Sequence, residues 1–266
     1  MAVDFEVIPG WYGKVPYLGD FASRRLPQTF IATWDRWLQQ SMSASRAQLG
    51  TRWLDAYLHS PIWRFVLLPG VIGDEFWAGL IMPSVDKVGR HFPLTIAVSI
   101  APRPGILATV VASNNWYAAI ESTALAALNT AFTVDQFEAR LADAPFQDGL
   151  YQEQDTHALD LAGWWSQPAA RFDMPLPAGV TAQHLVCAAG SEWFQSAGAG
   201  KSIWWQDMAA SAQPRLACFP GLPQADHYTT FLQGGETPLQ PVHAMPPAEA
   251  TQAMLDRIMS TTLPPV

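Results

Sequence analysis

Lysine is nearly missing from this sequence: among 266 residues only Lys14, Lys87 and Lys201 occur. Charge of either sign is scarce, at 14% of residues, and the balance is acidic, with 15 Lys and Arg against 23 Asp and Glu for a net charge of −8. Nucleic-acid binding needs a basic face to neutralise phosphates, so DNA and RNA are poor partners for this chain. Cysteine is limited to Cys187 and Cys218. They share no Cys-x-x-Cys spacing, so neither a zinc site nor a redox pair is indicated, and two buried free thiols are expected. Long apolar runs are lacking too. Leu94 to Ile100 and Ile106 to Ala112 are separated by Pro102, Arg103 and Pro104, and neither approaches the roughly 18 to 20 residues of a membrane helix. Near the N-terminus, Asp4 and Glu6 stand where a secretory signal needs basic residues, and no apolar stretch follows. The expectation is a cytoplasmic protein with no membrane insertion.

Catalytic signatures are equally sparse. The six histidines, His59, His91, His157, His184, His227 and His243, form no i, i+4 pair and show no ligand spacing of a metal site. A Gly-x-Ser-x-Gly elbow is absent, and the acids form no paired-carboxylate pattern. Because triads assemble in space, a hydrolase is left unsupported by sequence alone. Gly200-Lys201-Ser202 has the ending of a P-loop, but residue 195 is Gln where that motif needs Gly, and Ile203-Trp204-Trp205 continues as strand-like sequence where a helix should begin. A simple turn at Gly198 to Ser202 is the plainer reading. No catalytic residue and no cofactor are assigned.

What the sequence does have is apolar bulk: 49% hydrophobic residues, twelve of them Trp. So many indoles must lie largely in a core, each with one N–H wanting a partner. After a strand-turn-strand start over Val3 to Val15, Phe30, Trp34, Trp37, Leu38 and Met42 recur at helical spacing between Pro27 and Gly50. A shorter helix over Thr51 to Leu58 follows, on the same sheet face. Ile62 to Leu68, Phe76 to Met82 and Pro93 to Ile100 predict three antiparallel strands bounded by Pro and Gly. Asn114 to Asn129 predicts a helix, and Thr133 with Gln136 a capping box for the next. Residues 145 to 180 are expected to be an irregular connection with at most a helical turn at Leu159 to Trp165. Thr181 to Ala188, Ser202 to Trp205 and Arg215 to Phe219 predict strands, and Asp226 to Leu232 a helix. Helices interleaved with strands make an α/β fold, an α-β-α sandwich with a mixed, partly antiparallel central sheet. One domain over residues 1–235 is expected, followed over 236–266 by a Pro-rich linker with a terminal helix at Ala248 to Ser260.

Charge is distributed unevenly: residues 1–104 hold ten Lys and Arg against eight acids, while residues 105–266 hold five against fifteen. Two segments stand out within the less acidic stretch. Gly13, Lys14, Pro16, Gly19, Asp20, Phe21, Arg24 and Arg25 crowd together, and Ser84 to Arg90 forms a polar insert between two apolar strands. A turn and a hairpin loop would account for both, with Asp20 capping or pairing to Arg24 and the arginines solvated. Recognition is the alternative, because loops on a rigid sheet are where binding residues concentrate.

Those segments, with Trp34-Asp35-Arg36-Trp37-Leu38, Ser60-Pro61-Ile62-Trp63-Arg64-Phe65 and Trp77-Ala78-Gly79 between them, resemble the TagF (ImpM) family of type VI secretion accessory proteins. The resemblance is close over about residues 10 to 100 and weaker at Ser202 to Trp205 and Gly221-Leu222-Pro223. It implies an α/β sandwich and a non-enzymatic cytoplasmic protein. Such a protein restrains or tunes assembly of the secretion system after translation, with a forkhead-associated scaffold protein as its partner. The family carries no catalytic residues to transfer. The partner-binding expectation is placed on Lys14, Asp20, Arg24, Arg25, Asp86, Lys87 and Arg90, with the two loops side by side. Rival readings are a nucleotide-binding or hydrolytic enzyme using the Gly198 to Ser202 turn, and an adaptor acting through its C-terminal tail.

Overall fold

In the computed structural model, residues 6–147, 155–165, 173, 174, 176, 181–206 and 214–234 are described. In chain order these hold β1 (Glu6–Val7), β2 (Gly10–Gly13), β3 (Ala22–Arg24), α1 (Gln28–Leu49), α2 (Trp53–Leu58), β4 (Trp63–Leu67), β5 (Phe76–Met82) and β6 (Leu94–Ile100). They continue with α3 (Ile106–Ala112), α4 (Asn114–Ala126), α5 (Val134–Ala142), β7 (Phe146–Gln147), α6 (Asp155–Trp165), α7 (Ala182–Ala197), β8 (Lys201–Trp205), β9 (Leu216–Pro220) and α8 (Tyr228–Leu232). Strands β1 and β7 pair separately. The other seven form one sheet in the order β3-β2-β6-β5-β4-β8-β9.

The α/β layering agrees with the sequence, but the sheet is not mixed. All six of its ladders are antiparallel. Strands β4, β5 and β6 form a meander and β8–β9 a hairpin, so neighbours reverse direction, as short connections require. The interleaved helices cover the faces without serving as parallel crossovers.

Period-two alternation divides the core between the two faces. In β5, Phe76, Ala78, Leu80 and Met82 pack with Leu94, Ile96 and Val98 of β6 beneath Tyr117, Ile120 and Phe137 of α4 and α5. Trp77 and Ile81 point the other way, joining Phe65 and Leu67 beneath Phe30, Trp34, Trp37 and Leu38 of α1 and Trp53 and Tyr57 of α2. Because both faces are covered, the middle strands read as nearly continuous apolar runs, interrupted at Arg64, Thr95 and Ser99. Eight of the twelve Trp are buried, and every one of the eight except Trp116 donates its indole N–H, as from Trp34 to Thr95 Oγ1 at 2.8 Å and from Trp37 to the Pro223 carbonyl at 2.7 Å. Strand β8 sets Trp204 against Trp34, Trp37 and Phe65, so residues far along the chain complete the core begun by α1.

Four further expectations needed correction. Thr181 to Ala188 is not a strand but the start of α7, where the Thr181 hydroxyl accepts from the His184 amide and Leu185, Ala189 and Glu192 share one buried stripe. The i, i+4, i+7 spacing of that stripe is helical. Residues 155–165 form an 11-residue helix where only a turn was expected, packed on α7 through Ala158, Ala162, Leu185 and Ala189. Helix α3 was read only as a short apolar window. Cys187 and Cys218 are exposed, not buried. The linker and terminal helix expected over 236–266 lie outside the described residues.

Candidate partner-binding site

The segment after β2 and the β5–β6 loop meet at one corner of the sheet. Three hydrogen bonds join the loops: Ser84 Oγ donates to the Lys14 carbonyl at 2.7 Å, the Lys87 amide to the Leu18 carbonyl at 2.9 Å, and Arg90 Nη2 to the Gly19 carbonyl at 2.5 Å. Beneath them, Lys14 Nζ lies 2.9 Å from Asp86 Oδ2 with both side chains withdrawn from solvent, and Arg90 Nε bonds the same oxygen at 2.7 Å. Asp86 Oδ1 accepts from the Val88 and Arg90 amides at 3.0 and 2.8 Å. Burial works to raise the Asp86 carboxyl, but the Lys14 ammonium, the two amides and the Arg90 guanidinium outweigh it and hold the group well below the usual carboxylate range. Gly89 at φ 85 lets this loop close on itself, with its amide donating to the Asp86 carbonyl at 3.0 Å.

The loop is also tied to the core. Tyr57 of α2 donates to the Ser84 carbonyl at 2.8 Å and accepts from the Ser84 amide at 2.9 Å. Burial foremost keeps the Tyr57 phenol protonated, its titration pushed far up. Lys14 Nζ sits 4.7 Å from the Phe21 ring centroid, and Phe21 packs edge-on against Phe92. The corner therefore shows a rigid base and an exposed rim of Asp20, Phe21, Lys87, Val88 and Arg90, with Phe21 45% and Val88 68% exposed.

Five of the seven charged residues expected from sequence thus gather here, but not in one role. Lys14 and Asp86 are buried and shape the loops; Asp20, Lys87 and Arg90 face solvent. Arg24 and Arg25 stand apart, turned toward α5. Arg25 Nε donates to the Pro9 carbonyl at 2.9 Å and its guanidinium pairs with Glu138, which also accepts from Trp11 Nε1 at 2.5 Å. Burial would raise the Glu138 carboxyl, yet Arg25, Trp11 and Arg24 together lower it. Arg25 occupies the left-handed region at φ 58, a conformation that costs a bulky residue and is held here by those two anchors.

Sequence reasoning passed over Tyr57 and the buried pair Arg64–Glu121. Arg64 donates to both carboxylate oxygens of Glu121 at 2.7 and 2.9 Å and to Asn114 at 3.3 Å, with its guanidinium carbon 5.2 Å from the centre of the Tyr117 ring. An arginine inside the apolar run of β4 was the signal available. The Gly198 to Ser202 turn leads from the C-terminus of α7 into β8, the reverse of a phosphate-binding loop. Lys201 Nζ is spent on the Ala197 carbonyl at 2.7 Å and Ser202 Oγ on the Gly221 carbonyl at 2.6 Å. Carbonyls, not amides, face outward at a helix end of this kind, so the turn makes no phosphate cradle. Among the described residues no group of three or more His, Cys, Asp or Glu could hold a metal ion, and no helix is long and apolar enough to cross a membrane.

Residues 10–144 match the model of the TagF N-terminal domain, described as type VI secretion system-associated. The chain belongs to the TagF family. Consistent with that, it is similar to the crystal structure of PA0076 from Pseudomonas aeruginosa PAO1, at 35% identity and a TM-score of 0.68 over 90% of this chain and all of that one. No curated protein matches. The matched region of this TagF-family chain ends at residue 144, yet its sheet does not: β4 carries β8 as its next neighbour, from Arg64 opposite Trp205 to Leu67 opposite Ser202. Membership associates the chain with type VI secretion, and the docked loop corner falls wholly inside the matched region.

Proposed function

We propose that this chain is a non-enzymatic, cytoplasmic regulator that represses type VI secretion assembly after translation by binding a forkhead-associated scaffold protein. The observation that carries the reading is the corner where a buried Lys14–Asp86 pair, joined from the surface by Arg90, locks two loops together and leaves Asp20, Phe21, Lys87, Val88 and Arg90 on its rim. A rigid base lowers the ordering cost of docking, and a rim mixing exposed apolar groups with an arginine suits a protein partner. Recognition here uses side chains already held in place.

Two arms test the proposal in the native cell. Affinity purification of the tagged chain should bring down the forkhead-associated scaffold, and overproduction should lower secretion through the system. Failure of the scaffold to co-purify would refute the partner, and undiminished secretion would refute repression.

A further inference from the structure

Away from the loop corner, a groove of about 510 Å³ opens between α3, α7 and the β8–β9 pair. Its walls are mostly apolar, with Leu107 and Val111 from α3, Phe194 from α7, Trp205 from β8, and Leu216 and Cys218 from β9. Phe194 and Leu216 are 53% and 68% exposed. A contiguous apolar surface of this kind gains free energy by being covered. The groove also contains an unfinished polar group. Gln206 is 5% exposed, lines this groove, and has no hydrogen-bond partner at either atom of its side-chain amide. A buried amide left so is costly, which points to a ligand that brings a donor and an acceptor. The same Gln206 borders a second, more polar groove with Arg52, Leu232, Gln233 and Gly234, where the described chain leaves the fold.

We propose that residues 235–266 of this same chain are the occupant: their backbone passes Gln206 and bonds its amide, and Met254, Leu255 and Ile258 enter the apolar groove. The segment starts at the groove that shares Gln206. Met254 lies twenty residues beyond Gly234, a length of chain that can span roughly 25 Å. Tethering also supplies a high effective concentration. Met254, Leu255 and Ile258 recur at the spacing of one helix face, the way amphipathic helices fill grooves. Charge agrees: residues 235–266 hold Glu236, Glu249 and Asp256 against Arg257, while the two grooves present Arg215 and Arg52. This inference is independent of the scaffold proposal, because different elements build the two surfaces.

The two cysteines allow a test in the full-length chain. Cys218 lines the groove, whereas Cys187 is an exposed thiol on α7 and not one of its lining residues. Partial burial raises the Cys218 thiol above its ordinary value, against an opposing pull from Lys201, so rates are compared at one cysteine between proteins and not between the two cysteines. Relative to wild type, M254D/I258D should react with a thiol reagent about tenfold faster at Cys218, the factor for a groove covered nine-tenths of the time, with Cys187 unchanged. Equal Cys218 rates in the two proteins would overturn the proposal. So would protection that vanishes on dilution, which would assign the groove to a second copy.

Discussion

Lys14 Nζ and Asp86 Oδ2 stand 2.9 Å apart, shielded from water, and hold the end of β2 against the β5–β6 loop. Removing one member of a buried pair leaves the other uncompensated. Lys14→Met should therefore lower the melting temperature by several degrees and speed hydrogen exchange at the Val88 and Arg90 amides, which Asp86 holds. Exchange at wild-type rates would show that Arg90 alone suffices to order the loop.

Acid should act on the same group. The folded Asp86 carboxyl titrates below its ordinary range, whereas the unfolded one titrates near about 3.9. Between those points the unfolded state binds more protons, so the stabilisation is full above the unfolded value and is lost as pH falls through the folded one. Asp86→Asn should lower the melting temperature at pH 7 and flatten its decline below about pH 4. Thermal melts across pH 2 to 7 check this; parallel curves for wild type and variant would contradict it.

Trp34 is fully buried between α1 and the sheet, stacked near Trp204 and bonded to Thr95. Trp34→Ala should cost about 3–5 kcal/mol, read from denaturant unfolding. A loss under about 1 kcal/mol would mean the cavity collapses freely.

Two glycines should respond oppositely to alanine. A Cβ at Gly79 would stand 2.1 Å from the Ile96 carbonyl oxygen and 2.8 Å from Ala97 Cα, both backbone atoms of the adjoining strand. Gly79→Ala should unfold or severely weaken the protein. At Gly190, midway along α7, nothing lies within 4 Å, so Gly190→Ala should stabilise by about 0.5–1 kcal/mol through helix propensity. Melting temperatures of the two variants decide both.

Much of this architecture was legible because large aromatic residues mark helix stripes unambiguously: Phe30, Trp34 and Trp37 lie where their spacing put them. The Thr133–Gln136 capping box was legible for a local reason, two reciprocal bonds within four residues. Helix α7 was not, since its buried stripe is built of Leu185, Ala189 and Glu192, small or polar residues that carry little periodic signal. At the site, the proximity of the two loops was anticipated, but the burial of Lys14 and Asp86 between them was not. Sequence shows which charges two loops carry, whereas burial depends on how the loops pack, with Phe21 of one against Phe92 of the other and over Lys14, and Tyr57 of α2 tying down Ser84. Arg25 was grouped with the wrong cluster because its partner, Glu138, lies on α5, more than a hundred residues away.

Lys87 and Val88 are exposed at the tip of the loop, and Lys87 gives the Leu18 carbonyl only its backbone amide, so K87E/V88D alters the rim without touching the buried ion pair. Calorimetric titration of the purified forkhead-associated scaffold into wild type and variant tests the docking corner directly. Wild type should bind, and K87E/V88D should bind at least about tenfold more weakly, roughly 1.4 kcal/mol, at an unchanged melting temperature. Equal affinities for the two proteins would contradict the assignment of this corner.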